Sequence, residues 1–232
     1  NRPDTEDQTD GTDPAFVEVA SRLRELLTRE YSAEVIKDSV VARELDVSRT
    51  TANRALALLA RQNLIEPLPR RGWRRILLGP KEIIDLYDFR IAIEPAALSA
   101  AWDHFDRDKL QQLLDRTRRA ADATGVRAFS AAEMAALDLE LHHAILQACP
   151  NLLIRRAMQE QEALRVISIA PAWRVPVRSA ATFQEHAEIL EQIIHGTREG
   201  AMEALKSHLL AARDDTAARV KAAEAAAASA PV

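Results

Sequence analysis

The run Leu45-Asp46-Val47-Ser48-Arg49-Thr50-Thr51-Ala52-Asn53-Arg54-Ala55-Leu56 decides how the N-terminal part of the chain folds. Ser48 is a good helix N-cap, because its hydroxyl can take a backbone N–H that the first turn leaves unsatisfied. Behind it Ala52, Ala55, Leu56 and Leu59 recur at helical spacing and predict the buried face of a helix from Arg49 to about Arg61. Upstream, Asp38 can cap a shorter helix carrying Val41, Ala42 and Leu45. Asp46 falls between them, where the chain needs a residue that tolerates left-handed geometry. Two short helices joined by a tight turn make a helix-turn-helix.

Working outward, Phe16, Val19, Ala20, Leu23, Leu26 and Leu27 predict a preceding helix from about Pro14 to Glu30, and Val35-Ile36 is a short β-prone pair. Downstream, Leu64 to Leu68 and Trp73 to Leu78 are strand-like runs around a Pro69-Arg70-Arg71-Gly72 turn. A helix-turn-helix followed by such a hairpin is a winged helix, and its chemistry suits DNA. Arg49, Thr50, Asn53 and Arg54 stand on the unburied face at the start of the third helix, the part that reaches base edges and phosphates in a major groove. Arginine suits guanine, asparagine suits adenine, and threonine can meet a phosphate or a thymine methyl. Arg70, Arg71 and Gly72 at the wing turn would lie beside the phosphate backbone.

The charge distribution agrees. The whole chain of 232 residues has a formal net charge of −4, which argues against general coating of nucleic acid. Yet residues 1–14 carry Asp4, Glu6, Asp7, Asp10 and Asp13 against Arg2 alone and are expected to form a disordered acidic tail, whereas residues 15–78 are locally basic. The single cysteine, Cys149, excludes a disulfide framework and points to a reducing cytoplasm, with the thiol as a small buried hydrophobe. No apolar run approaches the length of a membrane span, and the acidic start does not resemble a signal peptide.

From residue 79 to about 223 every segment has helical spacing. The expected helices run from Pro80 to about His104, from Asp106 to near Gly125, and from Ser130 to Cys149 with Pro150 as stop. Three more follow: one from about Asn151, one from Ala180 to His195 ended by Gly196, and one from Arg198 that decays into an Ala-rich tail over 224–232. Helices of this length with short connections predict an all-α antiparallel bundle, so the chain is mainly α with a small β-hairpin wing. On the third of these helices Asp138 and His142 are four apart and share a face. Alone, that pair is an ordinary salt bridge at a core edge. His186 and His208 lie mid-helix on two other helices beside core leucines and isoleucines, so the four residues together admit either a structural ion-pair cluster or an interior divalent-metal site. His143, about 100° round the helix from His142, reads as surface. His104 and His195 sit at helix ends.

Two resemblances sharpen this. Leu45 to Leu56, with Leu64-Ile65-Glu66 and Arg71-Gly72, resembles the DNA-binding domain of GntR-family bacterial transcription regulators. Asp46 replaces the usual turn glycine, and Thr51-Ala52-Asn53-Arg54 replaces the common Pro-Val-Arg-Glu. Asn53, where many relatives have arginine, bears on which operator sequence is read, not on DNA binding. Residues 80 to 215 resemble the FCD-type ligand-binding domain of one GntR subgroup, through Arg90-x-x-x-Glu94, Asp138-x-x-x-His142, Asn151, Glu185-His186 and Ser207-His208. The resemblance implies a divalent cation on Asp138, His142, His186 and His208, with zinc first and nickel, manganese or iron admitted by the same ligands. It also implies a small organic acid as effector. Arg90, Arg165, Arg174 and Arg178 are the candidate forks for such an anion.

A ligand-responsive, sequence-specific regulator, expected to be a repressor, follows from these features. As a homodimer it would place two recognition helices on a palindromic operator one helical turn or a multiple apart. A metal-dependent hydrolase is the rival class, since three histidines and an aspartate with open positions can activate water. Only Glu140 or Glu185 is available there as a further acid or base, and the DNA-binding head would have no role. A regulator with a purely structural metal is the third alternative.

Overall fold

The computed structural model describes residues 18–23, 35–62, 64–76, 78–122, 129–169 and 176–229. The acidic segment 1–14 lies outside them, as does most of the helix expected from Pro14. The chain divides into two compact units, Asn1–Leu77 and Leu78–Val232.

In the first unit, residues 18–23 are helical (α1) and bury Val19, Ala20 and Leu23. Helix α2 (Asp38–Leu45) follows, then α3 (Arg49–Arg61). Asp38 is the first residue of α2 and not its cap, which is Lys37 without a side-chain bond. Its carboxylate instead accepts from the Ser39 N–H and from Arg49, a charged donor that outcompetes a capping role. Asp46 adopts φ 53°, ψ 51°, the left-handed cap of α2. Ser48 Oγ accepts the Thr51 N–H at 3.0 Å and so starts α3, whose Ala52, Ala55, Leu56 and Leu59 are buried.

Strands β1 (Ile65–Leu68) and β2 (Gly72–Arg75) pair antiparallel, Ile65 opposite Arg75 and Leu68 opposite Gly72. Ile36 adds an isolated bridge to Trp73, exchanging bonds of 2.7 and 2.9 Å. That bridge explains Gly72. Its φ is +116°, and a Cβ there would stand 2.4 Å from the Ile36 carbonyl oxygen.

The second unit is all helix: α4 (Pro80–Ala101), a 3-10 turn at Trp102–His104, α5 (Arg107–Asp122), α6 (Ala131–Ala148), α7 (Leu152–Ile169), α8 (Pro176–His195) and α9 (Arg198–Ser229). Local chemistry sets the starts. Pro80 stands at the head of α4, where its missing N–H costs nothing. Asp106 accepts from the Lys109 N–H, Ser130 and Glu133 form a reciprocal capping box on α6, and Asn151 Oδ1 accepts from the N–H groups of Leu153 and Ile154. Two boundaries differ from the spacing-based expectation. Helix α8 begins at Pro176 rather than Ala180, because proline at a first position is already set to helical φ. Helix α9 runs to Ser229, past the point at which it was expected to decay, since alanine has the highest helix propensity.

Helix α4 packs along α9, α5 along α8, and α8 against α9, while α6 and α7 close on α4. Ile83, Tyr87, Leu98, Leu114, Leu141, Ile145, Phe183, Leu190, Leu205 and Leu209 fill the core between them. Among the described residues no helix is long and apolar enough to cross a membrane.

Candidate metal centre and nucleic-acid interface

The bundle brings Asp138 and His142 of α6, His186 of α8 and His208 of α9 into its interior, each at most 4% exposed. The three imidazoles form the tight set. One ring nitrogen of each lies within 4.8 Å of the others. Ring centroids are 4.5 Å apart for His186 and His208, 5.4 Å for His142 and His186, and 5.7 Å for His142 and His208. Asp138 joins from the side, its Oδ1 3.6 Å from His186 Nε2.

Charged partners orient two of the rings. His142 Nδ1 donates to Glu94 Oε2 at 2.6 Å, and the other oxygen of Glu94 accepts from Arg90 Nε at 2.6 Å. His208 Nδ1 donates to Glu185 Oε2 at 2.8 Å. With Nδ1 carrying the proton in both, Nε2 is left as the lone-pair donor, the tautomer that a metal needs and that a carboxylate behind the ring makes more basic.

Two nitrogens bound to one ion at ~2.0–2.1 Å, roughly 90–110° apart, would be separated by about 2.9–3.4 Å. His186 Nε2 and His208 Nε2 are 3.1 Å apart. The His186–His208 pair therefore has the spacing of two ligands on one divalent first-row cation, with a nitrogen of His142 within 4.8 Å and Asp138 more loosely placed. The same 3.1 Å accommodates a proton between the two rings in the metal-free state, His186 donating and His208 accepting.

Arg90 is part of this network. Burial alone would lower its guanidinium, but the Glu94 carboxylate outweighs it, helped by Tyr87 and Asp138, and holds the pKa above the ordinary value. Its Nη2 lies 3.4 Å from both nitrogens of His142, and its Cζ sits 4.8 Å from the Tyr87 ring centroid. Arg90 is thus committed to Glu94, although it also lines a small pocket that opens beside His142 between α4, α6 and α7. His143, expected at the surface, lines this pocket too, and its Nε2 meets Glu162 Oε1 of α7 at 2.7 Å.

Of the other candidate anion forks, Arg174 lies outside the described residues, and so do the side chains of Arg165 and Arg178. Glu140, one of the two spare carboxylates considered for catalysis, binds Arg116 at 2.7 Å. Residue spacing did not reveal the orienting roles of Glu94 and Glu185. Glu94 at i+4 from Arg90 carried a signal for the ion pair but none for His142, which is 48 positions away.

In the first unit Arg49, Thr50, Asn53 and Arg54 are exposed along one side of α3, and Arg70 and Arg71 are exposed at the wing tip. Arg70 takes φ 62°, and Arg71 N donates to Leu68 O across the turn. Arg49 is bonded to Asp38.

Residues 85–211, more than half of the chain, match the FCD domain family. This chain belongs to the GntR family of transcriptional regulators with an FCD domain. It is 23% identical over 181 residues, 77% of each chain, to the uncharacterised HTH-type transcriptional regulator YdhC of Bacillus subtilis. Its fold is similar to that of E. coli McbR/YncC, with a TM-score of 0.73 and 16% identity over 88% of this chain and 97% of that one. It is also similar to a GntR transcriptional regulator from Rhodococcus sp. RHA1, with a TM-score of 0.68 and 18% identity over 91% and 99% of the two chains. An FCD regulator of this family is a DNA-binding transcription factor and not an enzyme, which removes the hydrolase alternative.

Proposed function

We propose that this GntR-family regulator senses a small organic acid through a divalent metal held in its FCD domain. Asp138, His142, His186 and His208 would be the protein ligands, and zinc is the first choice for a set of three imidazoles and one carboxylate. The observation that carries this reading is the convergence of three buried imidazoles on one point with Glu94 and Glu185 behind two of them. When bound, the ion would supply open coordination positions to a carboxylate.

The chain's own residues do the rest. Glu94 and Glu185 fix the His142 and His208 tautomers. The effector would approach through the pocket beside His142, with Arg90 at its wall, and Arg165, Arg174 and Arg178 are further candidates for holding its charge. Arg49, Thr50, Asn53 and Arg54 would read the operator, with Arg70, Arg71 and the backbone at Gly72 on the phosphates. The regulator would act in the cytoplasm as a homodimer that represses until effector binds. The effector can shift the operator-bound population only as far as its affinity for the two states differs.

Operator binding by the full chain, measured with a panel of small carboxylic acids with and without chelator, tests this. The expected result is release of DNA by one class of acid only while metal is present. Acid-independent DNA binding, with a chelator that lowers the melting temperature alone, would establish a purely structural metal instead.

A further inference from the structure

Arg49 is the first residue of the recognition helix, and its side chain is 71% exposed, yet it is not loose. Its Nη2 donates to Asp38 Oδ2 at 2.9 Å and approaches Oδ1 at 3.3 Å, while Nε donates to Oδ2 at 3.3 Å. Asp38 is itself anchored, since its Oδ1 accepts the Ser39 N–H at 2.8 Å at the head of α2. The Arg49 guanidinium holds the Asp38 carboxyl below its usual value, so the carboxylate stays charged.

A guanidinium has five N–H donors in a rigid plane. Asp38 takes the Nε/Nη2 side, and Nη1 makes no bond among the described residues. The Nη1/Nη2 edge is therefore the one that Asp38 leaves open, on a side chain that is mostly exposed. The wing cations differ, because Arg70 and Arg71 have no ion pair among the described residues.

A held arginine has already given up the rotamer freedom that a loose one loses on binding, and it meets a planar acceptor pair in one orientation only. Asp38 also carries a negative charge toward the surface that meets DNA. It opposes binding to every phosphate backbone, whatever the sequence. Both effects weaken indiscriminate binding relative to the correct site.

We propose that Asp38 is a specificity-positioning residue, which clamps Arg49 so that its Nη1/Nη2 edge reads O6 and N7 of one guanine in each operator half-site and does not default to phosphate. This rests on α3 being the recognition helix. No base contact is assigned to Asp38 itself.

The test uses the full chain and a duplex selected by it from a random-sequence library. Affinity is measured at one salt concentration for the selected duplex, for single-position substitutions of it, and for random duplex. Arg49→Ala should abolish preference at one guanine position, by tenfold or more. Asp38→Ala should lower discrimination at that same position by about fivefold and at the same time tighten binding to random duplex, because a repelling charge is gone. The isosteric Asp38→Asn should do the same to a smaller degree, and Asp38→Glu should restore discrimination.

A parallel loss of affinity for selected and random duplex in Asp38→Ala and Asp38→Asn would make the pair a mere brace between α2 and α3 and overturn the proposal. Unchanged discrimination in both variants would overturn it as well. If Arg49→Ala keeps every base preference, Arg49 reads no base and the role given to α3's first residue falls with it. Continued enrichment of one sequence by the wild-type chain would then leave DNA recognition itself standing.

Discussion

The histidine cluster and the recognition helix both rely on a carboxylate holding a nitrogen group in place, but in opposite surroundings. Glu94 and Arg90 are each about 5% exposed or less, and Glu94 reaches on to His142. In so dry a setting the pair must be complete, because removing one partner strands a buried charge. Asp38 and Arg49 are 29% and 71% exposed at the side chain, where water screens the pair and its value to stability is small. The same chemical contact is thus a condition of folding in the bundle and a means of aiming a side chain in the head.

The largest effect should come from Glu94→Ala, which leaves Arg90 buried without its carboxylate. A loss of about 3–5 kcal/mol in urea denaturation is expected, and the paired apolar replacement Arg90→Met with Glu94→Leu should recover most of it. A cost below about 1 kcal/mol would show that the pair behaves like a surface one and erase the contrast between the two regions. Next comes Gly72→Ala, where the added Cβ meets the Ile36 carbonyl oxygen at 2.4 Å on a backbone of φ +116°. About 1–3 kcal/mol should be lost, with the wing's contribution to DNA affinity lost alongside it. The same substitution with DNA affinity unchanged would mean that the wing's geometry is not used.

Glu185→Gln keeps the shape beside His208 and removes the charge. Metal affinity should fall about 10–100-fold with little change in fold, as read by competition with a fluorescent chelator; an unchanged affinity would reduce Glu185 to a bystander. Smallest is Ser130→Ala at the capping box of α6, worth about 1 kcal/mol.

The carboxylate of that box adds a pH signature. Glu133 is held below the usual carboxylate range by the Ser130 backbone N–H. Its contribution is therefore complete above the unfolded value near 4.5 and is lost as pH falls through the lower folded value. Acid melts of wild type and Glu133→Ala should converge there, because both then lack the Glu133 carboxylate on the Ser130 N–H.

What could be read from the sequence follows the range of each interaction. Ser48, Asp46 and the Ala52-Ala55-Leu56-Leu59 face act within a few residues of themselves, so the helix-turn-helix was legible from spacing. Asp138, His142, His186 and His208 were legible as in-phase polar positions on separate helices, but their meeting depended on a resemblance, since nothing local says which helix faces which. The bonds Glu94 to His142, Glu185 to His208 and His143 to Glu162 join positions far apart in sequence and needed the packed bundle to be seen. Asp38 misled for a local reason. An aspartate at the head of a helix has the usual signature of a cap, and its engagement with Arg49 lies across the turn, 11 residues on.

The central claim is that the bundle holds one divalent ion on the histidine set. Elemental analysis of the full chain purified without added metal tests it most directly, run beside the His142→Ala, His186→Ala double variant. About one ion per chain in the wild type is expected from a single four-ligand site, with none in the double variant. Stoichiometric metal retained by the double variant, or a wild-type chain that stays metal-free after incubation with zinc, would contradict the account.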